Sequence, residues 1–167
     1  AIGFAPLFVA GYKDERTRLL ARRMYIIYIL VTLGVSILVA ILAPYLPLGL
    51  ETPAMEAVRK LLLPVLVGTL FLGEITIAGF GFIITRNTRI YTILSTSYPL
   101  LYLVMLVVLF FFGFGISAIG WAFAVTSFAF TTLVVFQSEH LTRFGYPMLI
   151  LTGIKLVVLA IALAAMG

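Results

Sequence analysis

The sequence predicts an all-α integral membrane protein, a bundle of about five transmembrane helices. Three observations lead there. Hydrophobic residues make up 63% of the 167 and charged residues 10%, whereas a soluble domain is nearer ~45–50% and ~25%. Mean hydropathy is +1.24, more apolar surface than one core of this size can absorb. Apolar runs also recur at roughly the 20-residue length that crosses a bilayer as a helix. A barrel strand would alternate every second residue over about ten residues, and "LYLVMLVVLFFF" does not alternate.

Residues 1–23 read as a basic cytoplasmic or interfacial segment, and 24–167 as the membrane domain. The opening "AIGFAPLFVAGY" is too short to span; it fits an interfacial piece or the tail of a preceding helix. Ala1 fits a processed chain or a piece of a longer one. The first span covers about 24–45 and stops against Pro44 and Pro47, which cannot continue a helix. The second covers about 61–83. The third, about 90–112, contains Pro99 and is expected to kink there. The fourth covers about 116–136 and the fifth about 147–166.

Basic residues orient such a bundle. Lys13, Arg16, Arg18, Arg22, Arg23, Arg86, Arg89 and Arg143 fall on one side; Arg59 and Lys60 fall on the other, beside Glu51 and Glu56. This asymmetry predicts a multi-pass protein of the cell membrane with its N-terminus cytoplasmic and its C-terminus outside. The net charge of +5 is therefore a topology signal, and no nucleic-acid partner is expected.

Two charges lie deep within spans. Glu74, in "LFLGEITIAGF", is nine residues before Ile83, roughly 13 Å from that end of its helix. Lys155 is eight residues after Pro147, roughly 12 Å from the same surface. Equal depth and opposite charge make them natural partners, because an unpaired ion in a bilayer is costly and intramembrane ions commonly mark pathways. They are the candidate charge pair or substrate and ion pathway. Two structural readings stay open beside this one: a protonated, hydrogen-bonded Glu74, and a Lys155 that reaches the interface on its long stem.

Small and polar residues surround Glu74. Thr69, Gly73 and Thr76 recur at helical spacing, with Gly68, Gly79 and Gly81 nearby; Gly120, Ala124, Ser127 and Thr131 form a similar stripe on the fourth span. Such stripes let helices approach closely and imply neighbours, including further helices beside the chain. Ser95, Tyr98 and Tyr102 on the third span, Thr32 on the first and Thr76 on the second are candidates to line a polar cavity; interhelical hydrogen bonding is the plainer alternative.

Catalytic chemistry is missing. Cysteine is absent, which excludes disulfides and thiolate metal sites, and His140 is the single histidine, read as a solvated loop residue. No phosphate-binding glycine loop, zinc motif or nucleophile elbow occurs. No catalytic residue, metal or cofactor is expected.

The order of segments carries a resemblance. "APLFVAGYKDERTRLLARRMYIIYILVTLGVSILVAILAPYL", "ETPAMEAVRKLLLPVLVGTLFLGEITIAGFGF" and "RNTRIYTILSTSYPLLYLVMLVVLFFFGFGISAIGWAFAV" together resemble polysaccharide and lipid-linked oligosaccharide flippases of the multidrug/oligosaccharide/polysaccharide exporter superfamily. The resemblance implies alternating-access export of a polyprenyl-linked sugar, driven by an ion gradient or membrane potential. Such proteins have a dozen or more helices in two lobes, so this chain would correspond to part of the C-terminal lobe, with the lipid bilayer and the missing transporter lobe as its partners. The competing expectation is a small non-catalytic membrane subunit of a larger respiratory or translocation complex, partnered by other membrane subunits.

Overall fold

The computed structural model describes residues 14–42 and 53–164. They form seven helical segments and no strand: α1 (Glu15–Leu42), α2 (Pro53–Gly73), α3 (Ile75–Ala78), α4 (Phe80–Ile84), α5 (Thr88–Phe111), α6 (Ser117–Thr142) and α7 (Met148–Ala164). Because α2, α3 and α4 follow one another along a single path, the architecture is a five-rod bundle. Among the described residues, four stretches are long and apolar enough to cross a membrane: Glu15–Val39, Lys60–Ile84, Thr88–Phe111 and Ser117–Thr142. α7 is apolar but only 17 residues long.

Several boundaries differ from expectation. α1 starts at Glu15, well before the expected residue 24. The basic stretch after Asp14 is rich in Leu, Ala and Arg, all good helix formers, so apolar character marks the start of the buried length and not of the helix. α6 runs to Thr142, six residues past the expected end, which puts His140 in its last turn and not in a loop. Arg143 then takes a left-handed conformation, φ 52°, and the Glu139 carboxylate accepts hydrogen bonds from the backbone N–H groups of Gly145 and Tyr146 at 2.9 and 3.1 Å. That carboxylate folds the 143–147 loop back onto the bundle, where Phe144 and Tyr146 are buried. α5 continues through Pro99, and α2 through Pro64, without interruption. The expectations for residues 1–13, and for the helix stop at Pro44 and Pro47, lie outside the described residues.

α6 is the centre of the bundle, packed most extensively against α2 and then α5; α1 packs against α7 and α2. Glycines from the small-residue stripes of the second and fourth rods lie at the contact between them. A Cβ on Gly68 would run into the Phe123 ring, one on Gly81 into the Ser138 hydroxyl, and one on Gly120 would sit 2.8 Å from Pro64 Cγ and 3.3 Å from the Leu61 carbonyl oxygen. Backbone approach of this kind is what small residues permit. Gly68, Gly81 and Gly120 are thus used within the chain, whereas Thr69 and Thr76 of the second rod's stripe are exposed. α5 has no buried residue and lies on the flank, held to α6 partly by Tyr98, whose ring centroid is 5.0 Å from that of Phe130.

Candidate functional site

The α-helical hydrogen-bond pattern of the second rod breaks at Glu74, while the backbone there stays right-handed helical, φ −61° and ψ −29°. Gly73 precedes it, and the β-branched run Ile75, Thr76 and Ile77 follows, so local helix propensity falls on both sides. The Glu74 N–H donates to the Phe71 carbonyl at 3.0 Å, a tightened turn, while the Glu74 carbonyl accepts from both Ile77 and Ala78 at 2.9 Å. This leaves the Leu70 carbonyl for another donor, and the Tyr28 hydroxyl of α1 supplies it at 2.6 Å. Gly73 makes room for that contact: a Cβ there would collide with the Tyr28 hydroxyl. A second break follows at Gly79, between α3 and α4.

At the first break the side chain of Glu74 turns into the bundle and is fully buried, with 0% exposure. Its Oε2 lies 2.5 Å from Lys155 Nζ of α7. Tyr25 of α1 donates its hydroxyl to the same oxygen at 2.8 Å. Lys155, 2% exposed, also reaches Thr131 Oγ1 of α6 at 3.4 Å; that hydroxyl gives its own proton to the Ser127 carbonyl at 2.8 Å, so its lone pairs face the ammonium. The Phe71 ring centroid lies 6.0 Å from Nζ, at the outer range of a cation–π contact. Four of the five rods therefore meet at one buried ion pair. Glu74 Oε1 has no hydrogen-bond partner among the described residues.

The pair continues toward the 143–147 loop through aromatic rings. The Tyr25 and Tyr146 centroids are 4.8 Å apart, and Tyr146 meets Phe144 at 5.7 Å. Burial, and then the Glu139 carboxylate, raise the Tyr146 phenol above its usual range, so it stays protonated and neutral.

The expected cavity-lining residues are not gathered at this site. Tyr98 shares a 3.0 Å hydrogen bond with Ser127, one turn of α6 from Thr131. Ser95 returns its hydroxyl to the Thr92 carbonyl of its own helix at 3.1 Å. Tyr102 is half-buried on the flanking α5, Thr76 is exposed, and Thr32 is buried on α1. On the third span Tyr98 bonds between helices and Ser95 within its own. Tyr25 and Thr131 are the partners that sequence reasoning did not single out as site residues. Tyr25 is in phase with the buried Ile29, Thr32 and Ser36, and that spacing was the available signal.

Comparison with protein-family models, with curated proteins and with solved structures finds no match for this chain.

Tyr25→Phe isolates one bond of the site without changing its shape. A hydrogen bond inside a helical membrane bundle is worth little on average, but more when the acceptor is charged. The substitution is expected to cost about 1–2 kcal/mol, read as a shift in unfolding by sodium dodecyl sulfate. Tyr28→Phe, which frees the Leu70 carbonyl at the break, should cost a comparable amount.

Proposed function

We propose that this chain forms part of a membrane transporter of the polysaccharide and lipid-linked oligosaccharide flippase kind, and that Glu74 and Lys155 form its switching element. The observation that carries this reading is the buried Glu74–Lys155 ion pair where four of the five rods meet. Ionisable side chains within membrane spans face the bundle interior, pair with one another and commonly mark substrate or proton paths. The eight-to-two distribution of basic residues supports a cytoplasmic N-terminus and an outside C-terminus in the cell membrane.

A closed, dry pair has two stable alternatives. With water excluded, Lys155 and Glu74 neutralise each other and hold α7 to the break. Once water or an anionic headgroup enters between the rods, each charge is solvated separately, the ammonium is released to the anion, and the rods can part. Intermediate arrangements strand a charge in a low-dielectric interior and are costly, which makes the transition two-state.

A second reading, a non-catalytic subunit of a larger membrane complex, is supported by α5. None of its residues is buried, and Leu100, Leu103, Val107 and Phe110 leave an apolar face for other subunits as well as for lipid. Translocation separates the two. The full natural gene product is placed in vesicles with a fluorescent polyprenyl-diphosphate sugar, and a membrane-impermeant quencher reports the outer leaflet. The transporter reading expects quenching to proceed past the outer-leaflet fraction, and the Glu74→Gln/Lys155→Met double variant to fall to the rate of protein-free vesicles. No translocation by the wild type, together with stable co-purification with other membrane subunits, would establish the subunit reading instead.

A further inference from the structure

Near the N-terminus of α1, a cleft of about 430 Å³ is lined by Glu15, Arg16, Arg18, Leu19, Arg22 and Phe144. We infer that this cleft binds the phosphate headgroup of an anionic membrane lipid.

Charge comes first. Arg16 and Arg22 line the cleft against one carboxylate, Glu15, an excess of cation suited to a phosphodiester, which Arg binds through paired donors. Place comes second. The apolar run of α1 opens at Met24, two residues after Arg22 and eight after Arg16, so the arginines lie roughly 3–12 Å from its start along the helix. That is the headgroup layer flanking a hydrocarbon core of about 30 Å. Basic pockets at the ends of membrane helices are recurrent sites for anionic headgroups.

Shape comes third and selects a lipid over a free anion. Leu19 lines the cleft and is 47% exposed. Leu30, Ile37 and Ile41 follow on the same face of α1 and are also exposed, since steps of eleven, seven and four residues return to one side of a helix. A headgroup seated among the arginines therefore has an apolar track for its acyl chain running the length of the helix. Phe144, which is buried, also lines the cleft, and the Glu139 bonds to Gly145 and Tyr146 hold its loop in place.

The proposal is independent of transport activity. Its test uses the full natural gene product in a zwitterionic detergent-lipid micelle, titrated with dioleoylphosphatidylglycerol and followed by the rise in unfolding temperature and by native mass spectrometry of retained lipid. Dioleoylphosphatidylcholine and inorganic phosphate are titrated in parallel. Near a membrane surface each basic side chain contributes about fivefold to anionic-lipid binding, so Arg16→Gln/Arg22→Gln should weaken phosphatidylglycerol binding about tenfold or more. Both residues are exposed, so the fold should be kept, as checked by helical circular dichroism. Arg86→Gln/Arg89→Gln, which removes the same charge outside the cleft, should weaken binding by clearly less than Arg16→Gln/Arg22→Gln does. An equal loss in the two double variants would reduce the effect to net charge and overturn the site. Equal protection by inorganic phosphate would make it a free-anion site and overturn the lipid assignment, as would unchanged binding in Arg16→Gln/Arg22→Gln.

Discussion

Glu74→Gln and Lys155→Met are each expected to destabilise the bundle by about 3–5 kcal/mol, the cost of stranding one member of a buried pair. In Glu74→Gln the ammonium of Lys155 is left with Thr131 Oγ1 at 3.4 Å and the Phe71 ring at 6.0 Å, neither of which replaces a carboxylate. In Lys155→Met the carboxylate keeps the Tyr25 hydroxyl at 2.8 Å and loses its counter-charge. Unfolding by sodium dodecyl sulfate, followed by circular dichroism, reads both. The Lys155→Arg variant sharpens the expectation: it keeps the charge but not the shape, and a planar guanidinium must fit where one ammonium now sits against a single oxygen. Partial loss is expected there, smaller than for Met.

The second large effect lies in the packing of α2 on α6. Gly120→Leu is expected to cost about 3 kcal/mol or more, at the upper end of overpacking. The reason is the rigidity of what a side chain would meet: the Pro64 ring 2.8 Å and the Leu61 carbonyl 3.3 Å from an added Cβ. Neither can rotate away, so the two rods must separate. At Gly68 an added Cβ meets the Phe123 ring, which can turn, and the Ala124 Cα at 3.2 Å, which cannot; Gly68→Ala should cost less than Gly120→Leu because it adds a single methyl group. Gly34 provides the control, with nothing within 4 Å of an added Cβ. Gly34→Ala should be neutral or gain up to about 1 kcal/mol from helix propensity. Thermal unfolding of the three variants in one detergent gives the order.

The five rods were legible because bilayer-length apolar runs are a coarse signal that survives errors of several residues at each end. The pair was legible for the same reason: a charge in an apolar run stands out, and counting residues from the nearest helix ends places Glu74 and Lys155 at one level. The break that positions Glu74 was not. Proline is the conspicuous punctuation, yet the helices run through Pro64 and Pro99, and the hydrogen-bond pattern changes instead at Glu74 and Gly79, where the backbone stays right-handed helical. The interruption depends on a tertiary donor, the Tyr28 hydroxyl at the Leu70 carbonyl, which local propensity does not contain. Tyr25 was hidden by its chemistry, since a tyrosine in an apolar helix looks like packing until the hydroxyl's partner is known. Gly68, Gly81 and Gly120 were legible as contact positions but not as facing pairs of rods, because spacing along one helix says nothing of which helix faces it.

The central claim is that Glu74 and Lys155 stabilise each other as charges across the second and fifth rods. A double-mutant cycle tests it most directly: unfolding free energies of the wild type, Glu74→Gln, Lys155→Met and the double variant, measured in one detergent at one pH. A buried ion pair replaced on both sides can be nearly neutral, so the double variant is expected to recover most of what each single variant loses. Losses that simply add, giving a double variant less stable than either single one by the sum of the two effects, would contradict the pairing.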